Sequence, residues 1–195
     1  DGWGGDGPKS YGGVVVDSRG RVLLREPKGH FDGYAWTFPK GGVEGGDNPL
    51  QTALKEVTEE TGHKGRTVGY LPGAFKGGTS DVHMFLMKSE GFDSSKMDAE
   101  TKGLRWVTKE EAAKLIGKSK NKAGQKRDLA ILDAAYKEID FMGSVGGDGI
   151  GPVQVEPTVG ASPVAGHFEH AVTKGKAAKA KKPSWLQKKK AAEAK

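Results

Sequence analysis

Apolar and polar positions alternate along the first half of the chain in short runs separated by glycine-containing turns. Tyr11-Gly-Gly-Val-Val-Val-Asp17 and Arg21-Val-Leu-Leu-Arg25 flank a Ser-Arg-Gly turn, a pattern that predicts a β-hairpin. Ala35-Trp-Thr-Phe-Pro-Lys40 reads as a short aromatic strand leading into a glycine-rich loop. Thr67-Val-Gly-Tyr-Leu71, Asp81-Val-His-Met-Phe-Leu-Met87 and Leu104-Arg-Trp-Val-Thr108 read as further strands.

The period changes at Asn48. Asn48 suits an N-cap, Pro49 the first helical position, Gln51 completes a capping box, and Gly62 is placed to stop the helix. Leu50, Ala53, Leu54 and Val57 recur at the spacing of a buried helical stripe. Thr108-Lys-Glu-Glu111 is a second capping box, predicting a helix through about Ile116. Gln125 to Ile139 reads as a longer helix with Leu129, Leu132, Ala135, Tyr136 and Ile139 inward. Strands interleaved with helices predict an α/β fold, an α/β/α sandwich around a mixed sheet.

The chemistry concentrates in the first helix and the glycine loop before it, Gly41-Gly-Val-Glu-Gly-Gly-Asp47. Glu56, Glu59 and Glu60 stand at i, i+3 and i+4, on a face roughly 115° from the apolar stripe. Like charges at this spacing oppose the isolated helix by a few tenths of a kcal/mol per pair unless cations gather there. Hard carboxylate oxygens favour magnesium, manganese or calcium over zinc. A solvated Glu-rich face is the plainer reading of an E-x-x-E-E string by itself; the preceding glycine loop turns the weight toward a divalent metal and phosphate.

This segment resembles the box of the Nudix hydrolase family, which reads G, five residues, E, seven residues, R-E-U-x-E-E-x-G-U, with U a bulky apolar residue. Gly41, Asp47, Lys55, Glu56, Val57, Glu59, Glu60 and Gly62 fall in register with it. Asp47 stands for Glu, Lys55 for Arg and His63 for the last apolar residue. The resemblance implies a Nudix-type fold over residues 9–142 and magnesium-dependent hydrolysis of a phosphoanhydride, with manganese as a substitute. It implies Glu56 and Glu60 as metal ligands, Glu59 as ligand or catalytic base, and the Gly41 carbonyl as a further ligand. Lys55 takes the place of the arginine that orients the carboxylates, although one ammonium lacks the fork of a guanidinium. Glu100, in the loop before Leu104, falls where members of the family supply another carboxylate.

Trp36-Thr-Phe-Pro-Lys-Gly-Gly42 resembles branches of the family that hydrolyse dinucleoside polyphosphates and diphosphoinositol polyphosphates. The first is the leading expectation for substrate. Lys40, Arg25 and Lys28 are expected to balance polyphosphate charge, and Tyr34 or Trp36 to stack on a base. Alternatives are diphosphoinositol polyphosphates, RNA 5′ ends, oxidised nucleoside triphosphates, and a binding module of the same fold without turnover. The bland reading of Trp36 and Arg25 is a core side chain and a surface ion pair.

Charge divides the chain. Residues 171–195 carry a balance of +8, residues 143–170 carry −3, and the whole chain is +6, so the basic character belongs to the C-terminal end. Residues 1–8 form a Gly-rich segment, 143–170 read as a flexible linker and 171–195 as a Lys/Ala-rich basic tail. Such a tail is expected either to contact nucleic acid phosphates or an acidic partner, or simply to solubilise. The chain has no cysteine, hence no disulfide framework and no thiolate chemistry. With no run apolar enough to span a membrane, a cytoplasmic protein is expected.

Overall fold

The computed structural model describes residues 7–144. The expectations for the linker and the basic tail therefore lie outside the described residues from position 145 onward, as does most of the Gly-rich N-terminal segment.

Among the described residues, seven strands and three α-helices follow in chain order: β1 (Lys9–Val15), β2 (Val22–Pro27), β3 (Lys40–Gly42), α1 (Pro49–Thr61), β4 (His63–Tyr70), β5 (Phe75–Gly77), β6 (Ser80–Phe92), β7 (Thr101–Val107), α2 (Lys109–Ile116) and α3 (Lys122–Ser144). The main sheet runs β3-β1-β6-β4, with β5 also on β6. Strands β1 and β6 are parallel from Lys9↔Asp81 to Val15↔Met87, and the other pairings are antiparallel, so the sheet is mixed. Strands β2 and β7 make a separate antiparallel pair.

The β-hairpin expected from residues 11–25 is only a hairpin tip. Asp17 N donates to Arg21 O at 3.0 Å and Val16 bridges Val22, but beyond them β1 enters the main sheet and β2 pairs with β7. Val14 and Val15 are fully buried, and a strand covered on both faces gains more by sitting between two neighbours than at the edge of a hairpin. The aromatic strand expected at 35–40 is likewise short. Thr37 bridges Arg25, and regular pairing begins at Lys40.

Two apolar layers lie on opposite faces of the main sheet. Tyr11, Val15 and Met87 pack with Ala53 and Val57 of α1. Val14, Val82, Met84 and Leu86 pack with Leu115 and Ile116 of α2 and Ile131, Leu132, Ala135 and Ile139 of α3. Each fully buried large side chain stabilises by roughly 1.5–3 kcal/mol. The result is the expected α/β/α sandwich. Among the described residues, no helix is long and apolar enough to cross a membrane.

Helix α1 begins and ends as its sequence dictates. Asn48 and Gln51 form the reciprocal capping box, Pro49 occupies the first turn, and Gly62 closes the helix at φ 71°, a left-handed conformation that glycine adopts without a Cβ penalty. Its buried stripe, however, is rotated from the expected one. Leu50 is 37% exposed, whereas Thr52, Ala53, Val57, Glu60 and Thr61 are buried. One of the three carboxylates therefore enters the interior.

Candidate active site

The site is assembled where the α1 carboxylates meet the loop leading into β3 and the loop before β7. Glu60 is 8% exposed and its carboxylate is held from two sides. The Lys40 backbone N–H donates to Oε2 at 2.9 Å, and the Arg25 guanidinium lies 3.3 Å from Oε1. Arg25 is itself buried. Its Nε donates to Thr101 Oγ1 at 2.9 Å and its Nη2 to the Glu100 carbonyl at 3.2 Å, while Thr101 Oγ1 donates to the Glu60 carbonyl at 2.7 Å. One arginine thus ties β2, α1 and the loop before β7 together.

Gly41 lies directly over the Glu56 carboxylate, and any Cβ at this position would collide with it. Burial pushes the Glu56 carboxyl up to about 8, and the neighbouring Glu60, Glu59 and Glu44 charges add to the effect. Burial also raises Glu60, to about 6, against the lowering effect of Arg25 and Lys40. A desolvated set of mutually repelling oxygen donors under a glycine fits a hard divalent cation, which would relieve both penalties. Among the described residues no group of three acidic or histidine side chains is already drawn together as a cation cage. The Glu60 engagement with Arg25 and the Lys40 N–H gives a reason: one of the three expected carboxylates is turned to internal partners.

Lys40 occupies the inner wall. Its ammonium lies 5.3 Å from the Tyr34 ring centroid, and burial lowers its pKa to about 8, with Arg127 lowering it further while Asp128 and Glu60 oppose the shift. Tyr34 is buried. Arg127 stands 5.4 Å from its ring, and its hydroxyl packs against Gly124. Trp36 is partly buried against the core, with the Arg105 guanidinium 5.9 Å from its ring. The Lys28 side chain is exposed, while its backbone N–H donates to the Glu100 carbonyl at 2.7 Å.

The Lys55 side chain turns to the glycine loop. Its ammonium binds Glu44 at 2.9 Å, which holds its pKa up and links the glycine loop to α1 through an exposed pair. Glu59 accepts the Asp98 N–H on its backbone carbonyl at 2.7 Å, which seats the loop before β7 on the end of α1. Burial pushes the Glu100 carboxyl up, as does Asp98 nearby.

The structure therefore brings Arg25, Lys40, Gly41, Glu56 and Glu60 together, with Glu100 joining through its carbonyl. Sequence reading missed Glu44, Asp98, Thr101, Arg127 and Asp128. Glu44 and Asp98 are in loops with no periodic signal, and Thr101 is the first residue of β7, where a strand pattern was expected only from Leu104. Arg127 and Asp128 had one: they precede Ile131 and Leu132 by four residues, in phase with the buried stripe of α3. There Asp128, fully buried, accepts from Thr37 Oγ1 at 2.6 Å and from Arg127 Nε at 3.0 Å.

Comparison with known proteins agrees with this fold. The family model described as the NUDIX domain matches residues 8–129. An RNA pyrophosphohydrolase of Novosphingobium aromaticivorans is 41% identical over 51 residues, covering 26% of this chain and 32% of that protein. A solved NUDIX hydrolase from Nitrosomonas europaea superposes with TM-score 0.56 at 19% identity, over 68% of this chain and 90% of its own. A Caenorhabditis elegans Ap4A hydrolase does so with TM-score 0.52 at 19% identity, over 69% and 98%. The chain spans roughly a third of the length of the curated relatives compared by sequence. The domain match over residues 8–129, carrying the Gly41 to Gly62 segment on its loop and helix, shows that this chain belongs to the Nudix family.

Proposed function

We propose that the protein is a magnesium-dependent pyrophosphohydrolase that cleaves a phosphoanhydride of a nucleotide, with a dinucleoside polyphosphate as the leading substrate. The observation that carries this reading is the Glu56 carboxylate packed beneath Gly41, next to Glu59 and Glu60 and within a wall formed by Lys40 and Arg25. Anionic oxygens suited to a cation and the Lys40 ammonium suited to phosphate thus adjoin one another at the end of α1.

Glu56, Glu59 and Glu60 would hold magnesium, or manganese in its place, with the Gly41 carbonyl adding a neutral oxygen. A bound magnesium ion would supply Lewis acidity to the phosphoryl group. Glu59 accepts the proton of the attacking water as a P–O bond of the anhydride breaks, and Glu100 stands by as a second carboxylate. The Lys40 ammonium meets the departing phosphate. Arg25 acts chiefly by fixing Glu60, and Lys28 adds charge at the rim. Tyr34 serves through Lys40, whose ammonium lies over its ring, and Trp36 supports the same segment.

A second reading is cleavage at an RNA 5′ end. It is favoured by the 41% identity to an RNA pyrophosphohydrolase over 51 residues.

The test is incubation of the wild type and Glu56→Gln with magnesium and diadenosine polyphosphates, 5′-triphosphorylated RNA, diphosphoinositol polyphosphates and nucleoside triphosphates, with products resolved by mass. Cleavage of one class by the wild type and its loss in the variant is expected. No cleavage of any class despite magnesium binding would overturn the enzyme reading in favour of a binding module.

A further inference from the structure

Beside the site runs a loop with unusual backbone. Between Lys28 and Gly33, two residues other than glycine take positive φ, His30 at 49° and Asp32 at 54°, flanked by Gly29 at 66° and Gly33 at 78°. Such conformations at residues other than glycine are strained and persist where their surroundings over-determine them, often at ligand-binding positions. Here both ends of the loop are tied. At one end the Lys28 N–H donates to the Glu100 carbonyl, the same oxygen that accepts from Arg25. At the other, Asn121 Nδ2 donates to the Asp32 carbonyl at 3.2 Å and the Lys120 N–H to the Gly33 carbonyl at 2.8 Å. Between these ties stands Phe31, 52% exposed.

The loop therefore spans from the Arg25–Glu60 pair to the junction of α2 and α3, and that junction is strongly cationic. Residues 113–127 contain no Asp or Glu, and Lys118, Lys120 and Lys122 are all exposed. The acidic side chains of the loop and its start are Glu26, paired with Lys102 and in contact with His30, and the exposed Asp32, while Asp128, just past the cationic stretch, is buried against Arg127. An exposed aromatic ring on a loop tied to a lysine-rich junction is the combination that holds single-stranded nucleic acid, the ring stacking on a base and the lysines following phosphates.

We propose that Phe31 with Lys118, Lys120 and Lys122 forms a binding surface for the single-stranded portion of an RNA whose 5′ phosphoanhydride lies at the α1 carboxylates. This rests on the RNA-end reading of the same site. The exposed Phe31 ring takes a base, and the three lysines take phosphates farther along the strand.

The test uses the full chain in EDTA, which prevents turnover, with a fluorescein-labelled RNA of about 12 nucleotides, within the footprint usual for such surfaces. Phe31→Ala is expected to weaken binding about tenfold and Phe31→Trp to restore it. Replacing Lys118, Lys120 and Lys122 together by alanine is expected to reduce the slope of log affinity against log salt by about 2. RNA carrying 4-thiouridine should crosslink to Phe31 or to residues 118–122. Unchanged affinity in both variants, with melting temperatures equal to wild type, would overturn the proposal, as would crosslinks confined to residues 171–195. Hydrolysis of 5′-triphosphorylated RNA, assayed separately with magnesium, distinguishes the two failures. Cleavage with crosslinks only in the basic tail would defeat the surface and leave the enzyme reading intact. Crosslinks at Phe31 without any cleavage would support the surface and defeat the enzyme reading.

Discussion

The Arg25 guanidinium faces the Glu60 carboxylate at 3.3 Å with side chains only 8% and 10% exposed. This pair joins the β2 strand to the acidic face of α1, and its partners Thr101 and the Glu100 carbonyl extend it to the loop before β7.

Arg25→Met would leave the Glu60 carboxylate buried without its counter-charge. Breaking one side of a buried pair typically costs about 3–5 kcal/mol. Urea unfolding near neutral pH should show a loss of this order, and Arg25→Lys should recover only part of it, because one ammonium cannot serve Glu60, Thr101 and the Glu100 carbonyl together. A loss below about 1 kcal/mol in Arg25→Met would contradict the buried-pair account.

Gly41→Ala should displace the Glu56 carboxylate, since the added methyl occupies its position. Gly41 is not among the residues with positive φ, so the effect is steric and local. Magnesium or manganese affinity measured by calorimetry is expected to fall at least about tenfold, comparable to the loss of a supporting contact around a metal. Unchanged affinity would remove Glu56 from the set of ligands.

Lys55 and Glu44 form an ion pair at 2.9 Å with side chains 39% and 43% exposed. Exposed pairs of this kind contribute about 0–1 kcal/mol. A double-mutant cycle of Lys55→Ala and Glu44→Ala should give a coupling in that range, weakening further as salt is raised. Coupling well above it would mean that the glycine loop depends on this pair for its shape.

The Tyr136 hydroxyl donates to the Gly20 carbonyl at 2.6 Å, and burial pushes its pKa up to about 12, with Glu110, Asp17 and Asp140 adding to the rise. A group whose folded pKa is raised stabilises fully below its unfolded pKa, about 10 for tyrosine, and loses that contribution as pH climbs through 12. Tyr136→Phe should cost about 1 kcal/mol at pH 8. Denaturation curves should also show its deficit relative to wild type shrinking between pH 10 and about 12. A deficit that grows over that window would contradict the sign.

Local rules made much of the molecule legible from the sequence. Asn48, Pro49, Gln51 and Gly62 fixed the ends of α1, Thr108 and Glu111 the start of α2, because caps are satisfied by atoms three or four residues away. The register of Gly41 with Glu56, Glu59 and Glu60 also lay in the chain, since a helix sets its own spacing. Partner choice between distant segments was not legible. The turn at Asp17–Arg21 suggested a hairpin, yet β1 and β2 separated because β1 buries both faces beside β6, a competition that only the assembled sheet decides. Likewise the sequence set Glu60 with Glu56 and Glu59 on an acidic face beside the apolar stripe, without saying how deep it lies. Tertiary packing turned it inward, because Arg25 from one strand and the Lys40 N–H from another converge on it and offset part of its desolvation. Spacing along the chain determines which groups share a helix face; which of them are withdrawn from water, and with what counter-charge, is decided by segments tens of residues away.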